Sequence, residues 1–163
     1  MISALLISAA LVLLTCVIHY EALGWLSARL PHLAIAPRAK VLLVMLVAFV
    51  AHAVEIAIYG LAYLASVRWI DPAGLHSLLP VPPGTVPAPL GWEDCLYFSA
   101  VAFTSLGFGD IAPAGPLRLV TGVEALNGLL LIAWTASFTY LSMERFWAER
   151  PAPAGTRRHP PAP

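Results

Sequence analysis

Of 163 residues, 60% are hydrophobic and only 11% are charged, nine basic against nine acidic. A soluble globule carries about 25% charged residues, so this chain would leave a sticky surface in water. That excludes a disordered chain, a nucleic-acid binder with a basic face and almost any soluble enzyme, and it leaves a membrane protein.

Proline breaks helices, and all 15 prolines fall outside three stretches, 1–18, 41–64 and 119–143. Each stretch can cross a hydrocarbon core of about 30 Å at about 1.5 Å per residue, the first only just. The first run has no basic residue ahead of its apolar part, so it reads as a retained helix (1–19) and not as a cleaved signal peptide. Behind it, in the interfacial segment 20–40, Leu23, Leu26 and Leu30 share one face apart from Glu21 and Arg29. That spacing predicts a short helix lying on the inner membrane surface. Cys16 and Cys95 have neither disulfide nor metal-ligand spacing and read as packing residues.

Basic residues orient the spans. Arg29, Arg38 and Lys40 follow the first span, and Arg145, Arg150, Arg157 and Arg158 follow the third, leaving only Arg68 and Arg118 on the other side. By the positive-inside rule the N-terminus is outside and the C-terminus cytoplasmic. Tyr20, Trp25, Tyr63, Trp69, Trp92 and Trp147 fall where aromatic rings favour headgroup depth. An outer helix at 41–66 is followed by a Pro-rich external loop at 67–91 without a core of its own. An inner helix at 117–147 leads to a Pro-Ala-Arg tail at 148–163 that reads as disordered.

Between the outer loop and the last span lies a Pro-free apolar segment, 92–104, too short to cross a bilayer. It runs into Thr104, Ser105, Leu106, Gly107, Phe108, Gly109 and Asp110. A half-span followed by alternating glycines has the form of a re-entrant loop, and bare backbone is tolerated at membrane depth only inside protein or along a water-filled path. Gly107 and Gly109 allow left-handed dihedrals two residues apart, so successive carbonyls can point to one side. Four such strands around an axis would stack rings of oxygen that replace an ion's hydration shell, with the Ser105 hydroxyls as an innermost ring. The short helix would aim its negative end at the central cavity.

These residues resemble the signature of the potassium-channel pore family, T-V-G-Y-G-D with a preceding Thr. The order of outer helix, pore helix (92–104), filter (105–110) and inner helix resembles that family's two-helix pore module over 41–147. Together with the first span, the resemblance implies an all-α membrane protein of three transmembrane helices plus a re-entrant pore helix and filter loop. It further implies passive conduction of K+ without organic cofactor or covalent chemistry; one filter segment per chain gives a homotetramer, and the small size and short cytoplasmic parts point to a plasma membrane. Carried over, K+ would be held by the carbonyls of Ser105, Leu106, Gly107 and Phe108 and by the Ser105 hydroxyl. Ser105 replaces the family's threonine and loses the methyl that restrains its rotamer; Leu106 replaces valine. Phe108 replaces tyrosine and loses its outward hydrogen bond. Tyr97 falls where the family often has a donor to the aspartate after the filter, here Asp110. The first helix lies outside the resemblance and is left to pack beside the module or to bind a partner.

Polar residues within the spans should face protein or water. Glu55 and Asn127 lie at similar depth and are expected to bond across the outer and inner helices, with Glu124 a further inter-helix contact. His52, three residues before Glu55, gives either a structural pair or a proton sensor. Gly128 serves as a hinge or as a close-packing device. No span carries regularly spaced basic residues, so a charge-bearing voltage sensor is not expected, and the tail is too short and Pro-rich for a cyclic-nucleotide-like or Rossmann-like domain. An intramembrane aspartyl protease also carries G-x-G-D, but its dyad needs a second membrane aspartate, and Asp71 and Asp94 lie in the outer segment. A non-selective cation pore, suggested by Ser105 and Phe108, and an accessory channel subunit are the remaining alternatives.

Overall fold

The computed structural model describes residues 2–71, 73–80, 84 and 89–148. Helix α1 (Ile2–Arg29) leads through a 3-10 turn (Leu30–His32) to α2 (Pro37–Trp69). Strand β1 (Leu75–Ser77), the short helix α3 (Trp92–Phe103), strand β2 (Ile111–Pro113) and α4 (Leu117–Ala148) follow. Three helical segments, Ile2–His32, Pro37–Trp69 and Leu117–Phe146, are long and apolar enough to span a membrane. Together they form a multi-span bundle, with α3 packed between α2 and α4 and with α1 against both. The tail expected to be disordered lies outside the described residues, apart from the end of α4.

The distribution of polarity is that of a protein solvated by lipid. Buried positions include Ser8, Thr15, His19, Glu55, Ser99, Glu124 and Asn127, whereas Phe49 is 72% exposed and Leu13 and Leu126 are exposed as well. In hydrocarbon an exposed leucine costs nothing and an unpaired polar group is expensive, which reverses the arrangement of a soluble core.

Two features depart from the sequence expectations. Helix α1 passes without a break through 21–29, where a separate surface helix was expected. Leu26 and Leu30 are almost completely buried in a cluster with Val44 of α2 and Phe146 of α4. The apolar stripe has protein partners, and nothing local stops the helix before Pro31. The Pro-rich segment between α2 and α3 also makes order that its prolines concealed: β1 pairs antiparallel with β2, matching Leu75 with Pro113, His76 with Ala112 and Ser77 with Ile111. Leu75 thereby enters the main core with Tyr63, Val67, Phe98 and Leu117.

The close approach of α3 to α4 rests on Gly128. A Cβ there would lie 2.1 Å from the Phe103 carbonyl oxygen and 2.9 Å from its ring, and α4 continues unbroken through the position. Backbone cannot move aside as a flexible side chain does, so Gly128→Ala is expected to lower the melting temperature by the equivalent of about 1–3 kcal/mol. Gly122→Ala, on the same helix with no atom within 4 Å of the added methyl, is the matched control and should hold or raise it through helix propensity. Equal melting temperatures for the two variants in detergent would remove the packing role.

Candidate functional site: the 104–110 ribbon and its polar supports

Helix α3 begins where Asp94 accepts the Gly91 N–H at 2.8 Å, and Glu93 and Asp94 place negative charge on its positive first turn. Its far end closes with two nested hydrogen bonds, Ser105 N–H to the Ala102 carbonyl and Leu106 N–H to the Val101 carbonyl, both 2.9 Å. That is a Schellman cap, which requires a left-handed residue after the helix. Glycine usually fills it; here Ser105 does, with φ +56°. Beyond the cap, Gly107 and Gly109 are also left-handed, at +64° and +79°. Every second residue of the ribbon therefore reverses the sense of the backbone.

The ribbon is exposed on this single chain, Leu106 and Phe108 included, the latter at 65%. Among the described residues, none donates a hydrogen bond to the carbonyls of Ser105, Leu106, Gly107 or Phe108. The Thr104 hydroxyl is occupied by its own helix, donating to the Ala100 carbonyl at 2.7 Å. The C-terminal end of the ribbon is pinned: Leu78 N–H donates to the Asp110 carbonyl at 2.7 Å and the β1–β2 pairing starts one residue later. Asp110 also lies near the exposed Tyr97, and its carboxylate, acting as a hydrogen-bond acceptor, raises the Tyr97 phenol above its ordinary pKa, with desolvation adding to the shift. The β1 support is not legible in the sequence, because a three-residue strand in a Pro-rich loop has no periodicity to read.

Behind α3 stands a buried polar bracket. Glu124 of α4 contacts the Ser99 hydroxyl of α3 at 2.6 Å and accepts a hydrogen bond from the Tyr63 phenol of α2. Ser99 also contacts the Ile56 carbonyl at 2.8 Å. A serine has one proton for these two contacts. Both become hydrogen bonds when a neutral Glu124 carboxyl donates to Ser99 and Ser99 donates to Ile56. Three helices are thus tied at the depth of the short helix, and a built Cβ on Gly60, 3.1 Å from the Leu96 Cα, shows how closely α2 approaches α3.

The expected bond between Glu55 and Asn127 is not formed. Glu55 Oε1 and Oε2 bind His19 Nδ1 at 2.9 Å and His52 Nδ1 at 2.8 Å. Asn127 instead donates to the Thr15 hydroxyl at 2.8 Å and to the Tyr59 phenol at 3.3 Å, and it accepts from the Cys16 thiol. The cause is α1, which inserts Thr15, Cys16 and His19 between residues placed face to face by depth alone. The signal was a polar pair four residues apart, Thr15 and His19, at the end of an otherwise apolar run. The donor atoms of His19, His52 and Glu55 lie within 4.8 Å of one another, and hydrogen bonding accounts for that convergence.

A membrane-spanning bundle that presents a glycine-punctuated ribbon at the end of a short buried helix defines a protein of the channel type. The family model described as "Ion channel" matches residues 41–144, and the chain belongs to that family, a class not known to be catalytic. The match takes in most of α2, all of α3, the ribbon and most of α4, and leaves α1 outside. A Bacillus subtilis (strain 168) protein named "Uncharacterized membrane protein YdjJ" is 50% identical over 54 residues, covering 32% of this chain and 15% of that protein. The chain thus spans only a small part of the length of that relative. No solved structure matches it.

The proton count of the bracket makes a prediction. Glu124→Gln keeps one acceptor for Tyr63 and one donor for Ser99, so its melting temperature should stay near that of the parent. Ser99→Ala strands the Glu124 donor, while the Ile56 carbonyl keeps its own helical partner, and should cost about 1–3 kcal/mol. Thermal unfolding in detergent measures both; a Glu124→Gln protein less stable than Ser99→Ala would show that Glu124 is held as a carboxylate.

Proposed function

We propose that the chain is one subunit of a homotetrameric, potassium-selective channel, with α3 as a re-entrant pore helix and residues 104–110 as its selectivity filter. The observation that carries this reading is the alternation of left-handed residues at Ser105, Gly107 and Gly109 along a ribbon whose carbonyls are unengaged in one chain. A ribbon of that kind turns successive oxygens the same way, and one chain supplies one quarter of each ring that a dehydrated K+ needs. The carbonyls of Ser105, Leu106, Gly107 and Phe108, with the Ser105 hydroxyl, are the ligands of the passing ion. The ion is cargo, moved down its electrochemical gradient.

In this reading α2 (41–66 in the matched module) is the outer helix and α4 (117–147) the inner one. The loop side, 67–91, faces outward, the N-terminus lies outside and the 148–163 tail lies in the cytoplasm of a cell whose plasma membrane holds the channel. Tyr97 braces Asp110 at the outer mouth. The Glu124 bracket holds the pore helix from behind, and Gly128 sets its distance from the inner helix. The apolar outer faces of α1 and α2 meet lipid.

Purified protein in liposomes, measured in mixed potassium and sodium solutions, tests selectivity directly. The reversal potential should follow the potassium gradient and ignore the sodium gradient. A reversal potential near zero when the two ions oppose each other would make it a non-selective cation pore, the outcome that Ser105 and Phe108 invite. A lack of potassium flux at any pH would favour an accessory subunit.

A further inference from the structure

We propose that His19, His52, Glu55 and Thr135 form a membrane-buried proton-binding site that holds one proton more than a Glu55 carboxylate and two neutral imidazoles supply. The four side chains close a ring. Glu55 meets His19 Nδ1 at 2.9 Å and His52 Nδ1 at 2.8 Å, and the opposite ring nitrogens converge on one hydroxyl, His52 Nε2 at 3.0 Å and His19 Nε2 at 3.2 Å from Thr135 Oγ1. Four contacts need four protons, one on each. Thr135 supplies one and each neutral imidazole one, which leaves one contact with two lone pairs facing each other.

With the carboxylate ionised, that deficient ring would also carry a net charge of −1. His19 and Glu55 are fully buried in the bundle, and an uncompensated charge there is costly. A fourth proton cures both faults, completing all four hydrogen bonds and bringing the net charge to zero. A fifth would leave a positive charge, with the Thr135 hydroxyl accepting from both imidazoles and its own proton without a partner in the ring. The surroundings provide no other compensation among the described residues. From α1 the further titratable group near Glu55 is Cys16. The Tyr59 phenol of α2 is turned to Asn127. Helix α3 presents Phe103 to His52, and α4 presents Trp134 to His19.

The ligand of this site is therefore a proton, and its effect is mechanical. The ring joins α1, α2 and α4 across the bundle, with His52 against Phe103, the last residue of the helix that leads into the 104–110 ribbon. Losing the proton would leave one of these four contacts unpaired and weaken the polar tie between α1, α2 and α4 beside that helix. The inference stands on one chain and is independent of which ion is conducted.

Glu55→Gln is the discriminating variant. A glutamine amide offers one donor and one acceptor, so its ring is complete and neutral with two neutral imidazoles and no added proton. The other histidines, His32, His76 and His159, are first replaced by glutamine, and the protein is labelled at imidazole nitrogen and carboxyl carbon in lipid bilayers. Magnetic resonance at neutral pH then counts protons over the four ring nitrogens and the Glu55 carboxyl. Three per chain are expected in the parent and two ring-nitrogen protons in Glu55→Gln. Two or four in the parent would overturn the proposal, and that count decides it even if the variant fails to fold. Unfolded imidazoles shed their extra protons above about pH 6.5. The parent's melting temperature should therefore fall relative to that of Glu55→Gln as pH rises from neutral; parallel curves would also overturn it.

Discussion

Hydrocarbon offers no hydrogen bonds, so a polar group at membrane depth has to find its partner inside the protein. Nearly every feature of this bundle follows from that demand. The buried carboxyls, imidazoles, hydroxyls and amide are interlocked between helices, and among the described residues only the Ser8 hydroxyl is left as a buried polar side-chain atom without a partner. Against this background the unengaged carbonyls of residues 105–108 stand out. They are polar backbone at the end of a buried helix, and in the proposed channel their partners are the ion and three further copies of the same ribbon.

The supports of the ribbon come from every part of the chain. At its N-terminal end the Schellman cap forces Ser105 into the left-handed region, so the geometry of the first turn after α3 begins the alternation that Gly107 and Gly109 continue. At its C-terminal end β1 fixes Asp110 and Ile111. Behind it, Glu124, Ser99 and Tyr63 hold α3 against both long helices of the module. Helix α1, outside the family match, is bound to the module by polar contacts from Thr15, Cys16 and His19. It is an integral wall of the bundle.

What the sequence disclosed and what it hid have physical reasons. Spans were legible because hydrophobicity and proline are local properties, and α3 was legible because a twelve-residue apolar segment beside two glycines has few other uses. The polar pairings were not. Glu55 and Asn127 were matched by counting depth along two helices, but depth says nothing about rotation, and it ignored a third helix whose Thr15 and His19 compete for both. The surface helix at 21–29 failed for the same reason, since Leu26 and Leu30 look alike whether lipid or Phe146 receives them. The β1–β2 pairing joins residues separated by the whole of α3, and three paired residues leave no periodic trace. The hinge or packing choice at Gly128 needed the position of the Phe103 carbonyl.

The central claim is that one chain carries an incomplete ion site, which copies of the same chain complete. Native mass spectrometry of the protein released from lipid nanodiscs in potassium-containing buffer tests it most directly. The account predicts a dominant species of four chains. A population made only of single chains or pairs, in protein that still passes ions in liposomes, would contradict it.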